Sequence, residues 1–376
     1  MKKLFATGIL AAAMILAGCG GQAGSGQNAA DTARDISGAA AGADTGAAAG
    51  SDDAGSDTAA MGGESVHDAA DNSAANGDAA DNNAANSSDA GADGAQSPET
   101  ADAPKNVLMV ADDNAFIEAE TPVFGSSYFR SDIRSVVFKD TLADMPEDAW
   151  DVSEAQDGSV MAWVAQDVLT IAGEGGVTAN PDSSQLFNEY SQVTSIEFND
   201  CFDTSYAQSM SFMFYHCPAL TSLDLSSFDT SNVTAMNSMF ANCEGLSDLN
   251  ISSFDTSQTE SMSGMFYNCK SITALDLSHF DTSRVTSMKE MFSDCHSLSD
   301  LNIRSFNTAQ VTDMAAMFKN CEALKALDLS GFDFSHVERT RLMFSGCTSL
   351  ESIGVDSLSL PAIQESDDMY TGTPLE

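Results

Sequence analysis

Apolar side chains in the second half of this chain fall on a fixed beat of 26 residues. Cysteines stand at Cys217, Cys243, Cys269, Cys295, Cys321 and Cys347. Met-Phe pairs keep the same step, from Met213-Phe214 to Met343-Phe344, and so do Phe202, Phe228, Phe254, Phe280, Phe306 and Phe332. A period of this size marks an array of stacked units, none of which closes a core alone. Within one unit, Leu220-Thr221-Ser222-Leu223-Asp224-Leu225 alternates apolar and polar positions, which predicts a short strand with Leu223 and Leu225 inward. Phe228 and the turn signal Asp229-Thr230-Ser231 follow. Val233, Met236, Met239-Phe240 and Cys243 then predict a second extended piece and one helical or 3-10 turn.

The array reaches past its clear copies. Val193, Ile196 and Phe198 repeat the strand pattern one residue out of phase, with Leu186-Phe187 ahead of them and Tyr190 at the cysteine position. At the other end Ile363 and Met369-Tyr370 stand 26 residues after Val337 and Met343-Phe344. The array is thus assigned to residues 181–376, and at about 4.8 Å per coil seven coils make a stack of roughly 35 Å. Residues 105–180 are assigned as an N-terminal cap hiding the open end of the core. There Ile133, Val136 and Phe138, Val160 to Val164, and Val168 to Ile171 read as strands, the last two as a hairpin.

The start of the chain is of another kind. Lys2 and Lys3 precede an apolar run from Leu4 to Leu16, too short for a membrane span and suited to a signal segment, residues 1–18. Leu16-Ala17-Gly18-Cys19 resembles the lipobox of bacterial lipoproteins, which implies cleavage before Cys19 and a lipid on its thiol. Two acyl chains there meet the two-signal requirement for stable anchoring. Residues 20–104 are nearly all Ala, Gly, Asp, Asn and Ser, with no aromatic and no Leu. Such a segment cannot offset its ordering entropy, so residues 19–104 are expected to be a disordered tether with an r.m.s. reach of roughly 50 Å.

Charge narrows the partners. A net charge of −41, from 56 acidic and 15 basic residues, argues against nucleic acid and against docking on anionic lipid.

The copies LTSLDLSSFDTSNVTAMNSMFANC and LDLSHFDTSRVTSMKEMFSDC resemble the BspA-like leucine-rich-repeat surface proteins, over residues 201–350. The resemblance implies a right-handed leucine-rich-repeat-like solenoid, mostly β, with short parallel strands joined by turns. It implies a bacterial surface location, and in some members adhesion; it brings no catalytic residues. No wall-sorting motif stands at the C-terminal end, so anchoring rests on Cys19.

Candidate chemistry is sparse. His216, His279, His296 and His336 are not equivalent in phase, and no H-E-x-x-H, G-x-S-x-G or C-x-x-C pattern occurs, so no enzyme and no cofactor is expected. The in-phase cysteines invite disulfides, but stacked Cβ atoms about 4.8 Å apart exceed the roughly 3.8 Å a bridge prefers. Buried thiols are expected instead. The turn aspartates Asp203, Asp229, Asp255, Asp281 and Asp333 have oxygens that suit calcium, but each has a local backbone donor. The outward strand positions are more informative. They carry Asp224, Asp248 with Asn250, Asp276, Asp300 with Asn302, and Asp328, so one Asp per coil alternates between two sites, as if two coils were the unit of duplication. Alternation keeps neighbouring carboxylates roughly 8 Å apart. Those seven residues are the candidate binding face. The expected function is adhesion to an extracellular protein or glycan, on a host or a neighbouring cell; the alternative is a structural envelope protein with no specific ligand.

Overall fold

A computed structural model describes residues 104–111, 117–355 and 368–375. All of them belong to the compact unit Ala92–Glu376; the other unit, Met1–Gly91, lies outside the described residues. The signal segment, Cys19, residues 19–103 of the tether, and Ile363 therefore lie outside them too. Among the described residues the chain is mostly short strand and turn, with 3-10 turns only at Val123–Gly125 and Arg130–Asp132. No helix among them is long and apolar enough to cross a membrane.

The cap is a five-stranded sheet in the order β2-β3-β4-β1-β6. Its strands are β1 (Ser135–Lys139), β2 (Trp150–Asp151), β3 (Val160–Ala165), β4 (Val168–Gly173) and β6 (Ser195–Glu197). β3 and β4 form the expected antiparallel hairpin. Its two-residue loop, Gln166-Asp167, has φ of 52° and 65°, the left-handed pair whose twist suits such hairpins. β1 then pairs in parallel with both β4 and β6, so the cap sheet continues into the first coil. β5 (Val177–Thr178) pairs in parallel with β7 (Phe202–Asp203) beside it. Phe138 meets Phe187, Phe198 and Phe202 with ring centroids 6.2, 5.3 and 4.6 Å apart, so one core runs through cap and coils.

From there the chain repeats. Single parallel bridges step through Asp182, Ser209, Ala235, Ser261, Ser287, Asp313 and Arg339, a nearly constant 26-residue offset. The Met-Phe segment beside them forms a second continuous ladder. The amides of Met210, Phe212, Phe214 and His216 donate to the carbonyls of Ala235, Asn237, Met239 and Ala241 in the next coil, at 2.8 to 3.0 Å. The amides between them close turns inside the coil, as Met213 N–H does onto the Met210 carbonyl. This is where the structure departs from the expected helical or 3-10 turn. Phe212 and His216 take φ of 59° and 55°, and equivalent left-handed pairs recur at Ser238 with Asn242 and at Glu290 with Asp294. Placing a left-handed residue every fourth position turns alternate peptide planes out toward the neighbouring coil, which a helix would not do.

Side chains follow the same beat. Phe187, Phe214, Phe240, Phe266, Phe292, Phe318, Phe344 and Tyr370 form one column of near-parallel rings, with centroid steps of 5.4 to 5.7 Å. The Met369-Tyr370 extension of the array is thus present. The six in-phase cysteines are free and buried. Each Sγ donates to a Phe carbonyl of the preceding coil, as Cys243 does to Phe214 at 2.9 Å. Burial pushes the Cys295 thiol up to about 12.

A third ladder runs through the threonines of the Asp-Thr-Ser turns. Thr230 Oγ1 donates to the Asp255 carbonyl at 2.9 Å and accepts the Asp255 amide at 2.8 Å. Thr204, Thr256, Thr282 and Thr308 do the same to their next coils. At the last of these positions Phe334 stands instead, and packs on Phe332.

Arg130 closes the first coil. It is 1% exposed. Its guanidinium donates to the carbonyls of Leu186 at 3.4 Å and Asn188 at 2.8 Å. In the next coil the equivalent carbonyls, of Met213 and Tyr215, accept amides from the coil before. The cation therefore replaces a missing coil. It also lies over the Tyr190 ring, 5.1 Å from the centroid. Burial outweighs this charge and pushes the Tyr190 hydroxyl up to about 12.

Candidate binding surface

The strand side of the stack carries the outward Asp and Asn residues. The strands are β8 (Ser222–Asp224), β9 (Asp248–Asn250), β10 (Ala274–Asp276) and β11 (Asp300–Asn302). Unlike the other ladders, this one is interrupted. β8 pairs with β9, β10 with β11, and Ala326 bridges Ser352. No backbone hydrogen bond among the described residues joins β9 to β10, or β11 to residues 326–328. The coils are thus grouped in twos on this side, and the two-coil unit read from the Asp alternation is visible in the backbone.

The side chains explain the alternation more closely than repulsion alone. Asn250 Nδ2 donates to Asp224 Oδ1 at 2.9 Å, and Asn302 Nδ2 to Asp276 Oδ1 at the same distance. Each Asp that would face another carboxylate in the paired coil faces an amide instead. Asp248 stands opposite Ser222, and Asp300 opposite Ala274. Asp328 has a different neighbour, Arg304, with Nε 3.1 Å from Oδ2. These groups also shape their own turns. Asp224, Asp276 and Asp328 accept the amides of Ser226, Ser278 and Ser330 at 3.0 to 3.1 Å. The serine hydrogen bonds hold all three carboxyls below their ordinary range. The turn aspartates do likewise one turn on: the hydrogen bonds from Ser231, Ser283 and Ser335 lower Asp229, Asp281 and Asp333.

The seven candidate residues therefore lie on one face, five of them in three local groups: Asp224 with Asn250, Asp276 with Asn302, and Asp328 with Arg304. Asp248 and Asp300 flank them, exposed. Cys19 lies outside the described residues. Beside the second interruption is a groove of about 460 Å³ lined by Asp300, Leu301, Asn302, Arg304, Ala326 and Asp328 among others. Leu301 and its counterpart Leu249 are only partly buried, whereas Leu223, Leu275 and Leu327 are at most 7% exposed. Pattern reading assigned all five to the core and overlooked Arg304. A signal for the grouping does stand in the chain, since Leu225, Ile251, Leu277, Ile303 and Leu329 alternate in step with it. The Met-Phe segment carries His216, whose Nδ1 lies 2.6 Å from Glu189 Oε2. That hydrogen bond raises the imidazole above its ordinary value despite partial burial.

A family model described as a Mycoplasma protein of unknown function, DUF285, matches residues 181–297 and again 260–374. No curated protein matches the chain. A crystal structure of a leucine rich cell surface protein from Faecalibacterium prausnitzii A2-165 is similar at 18% identity over 60% of this chain and 77% of that one. Its TM-score of 0.30 is too low to bear on fold or location.

Proposed function

The chain belongs to the DUF285 family, matched over just over half its length, and on that premise we propose that it is a lipid-anchored surface protein presenting a leucine-rich-repeat-like solenoid for adhesion. Cys19 carries the anchor and residues 19–104 the spacer. The partner is a protein or glycan on a host or neighbouring cell. One observation carries the reading. The positions that repeat without change (the Met-Phe pairs and the cysteines) are buried, while the exposed strand face carries an Asp pattern that alternates between coils. Residues held inside explain a stack; residues varied outside are what a partner can read.

The test uses cells displaying the full chain, offered immobilised matrix proteins and a glycan array. Saturable retention on a defined subset is expected, together with release of the protein into the medium when Cys19→Ser removes the acylated thiol. Retention on none of them, with the chain still held at the surface, would sink adhesion and leave the structural envelope protein.

A further inference from the structure

We propose that the interruption between β11 and residues 326–328 is a docking groove for an extended, basic segment of a partner protein, seated by backbone pairing. This rests on the adhesion reading above and narrows its partner to a polypeptide. Asp300 and Asn302 use their amides and carbonyls on β10, as the Asp300 N–H to Thr273 O and Leu277 N–H to Asn302 O bonds show. Parallel pairing alternates sides, so the N–H and C=O of Leu301 face the gap. On the far side Leu327 and Leu329 donate to Ser352 and Ile353, which turns the Ala326 and Asp328 backbone groups to the same gap. Among the described residues none of these meets a backbone partner across it. A strand edge of this kind is a template for an added chain, with the backbone giving affinity and the side chains selecting sequence.

Four further features choose the occupant. Leu301, half-buried at the gap, gives an apolar anchor. Asp300 and Asp328 lie in the groove, with Arg304 engaged to Asp328, so the local field is acidic. The whole chain, at −41, adds an attractive field for a cationic segment and repels an acidic one. The small Ala326 leaves space where a larger outward side chain would fill it. β9 and β10 repeat the interruption around Leu249 and Ala274, so the stack offers the same template twice.

The experiment pans a phage-displayed random dodecapeptide library on the full chain and resynthesises the enriched peptides. Enrichment of alternating β-branched or apolar sequences bearing Lys or Arg is expected. Binding should fall at least tenfold when alternate peptide amides are N-methylated, and at least tenfold in the double variant Ala274→Trp, Ala326→Trp, whose changes are at exposed positions. An unchanged melting temperature in that variant shows that folding is intact. Peptides that bind equally well with N-methylated amides, or equally well to the double variant, would overturn the groove while leaving adhesion standing. The same holds if no peptide is enriched but displaying cells are still retained on protein or glycan. If neither peptides nor cells are retained, the adhesion reading falls and the groove with it.

Discussion

Thr256 joins two coils with a single oxygen, donating to the Asp281 carbonyl and accepting its amide, both at 2.9 Å. It is 1% exposed, so removing the hydroxyl leaves two backbone groups without partners away from water. Thr256→Val should cost about 1–3 kcal/mol in chemical denaturation, and Thr256→Ser much less. Arg130 makes a larger claim. Arg130→Met deletes the donors to two buried carbonyls and should lower stability by about 3 kcal/mol, read from the same denaturant midpoint. The cysteines make a chemical one. Thiols buried and pushed upward, as at Cys217, Cys269, Cys295 and Cys321, hold almost no thiolate at neutral pH. Native alkylation followed by mass spectrometry should leave all six in-phase cysteines unlabelled until denaturant is added. At this scale the sequence was readable for whatever repeats with burial, such as Phe266 or Cys269. It was misleading for Thr230, whose place in Asp229-Thr230-Ser231 reads as a turn. Spacing shows that a hydroxyl recurs and is silent on whether it bonds within its coil or to the next. Leu301 was lost for a similar reason, since apolar periodicity does not distinguish a floor from a rim.

The coil is the element of this fold, and its contacts are unequal. The ring column, the cysteine bonds and the threonine staples bind successive coils along the array, while strand pairing binds them by twos. Phe266 sits mid-column, stacked 5.6 Å from Phe240 and 5.7 Å from Phe292. Phe266→Ala should therefore cost about 3–5 kcal/mol, and, because each coil touches only its neighbours, broaden unfolding into two phases by calorimetry. Between the first coil and the next, His216 and Glu189 give a pH signature. The raised imidazole contributes stability fully present below its unfolded value near 6.5, and that contribution is lost as pH rises through the folded value. The melting temperature of the parent chain, compared with His216→Gln, should thus show a gap at pH 5.5 that closes by pH about 8. The strand pattern foretold the coil well, from Leu223 to Leu225. The Met-Phe segment misled because most of its left-handed residues, Phe212 and Glu290 among them, are not the glycines that advertise such a backbone; Gly264 and Gly346 are exceptions.

The whole chain combines a net charge of −41 with carboxylates held low by their turn hydrogen bonds. The lowered groups stabilise the fold above their unfolded values near 4, and that contribution is lost as pH falls through their folded values. Combined with His216, stability should peak between about pH 4 and 6.5, and added salt should raise the melting temperature at pH 7 by screening self-repulsion. Within each pair of coils Asn250 and Asn302 engage the outward carboxylates, and across one interruption Arg304 engages Asp328, so those contacts offset repulsion on the acidic face.

The Met-Phe ladder has one more property. In each coil four peptide groups point their carbonyls toward the cap and their amides toward the C-terminal end, and every coil repeats the direction. In an ordinary sheet successive peptide dipoles cancel; here they add, as they do along a helix. The stack is thus polarised, negative at the first coil and positive at the last, and the guanidinium of Arg130 sits at the pole whose sign attracts it.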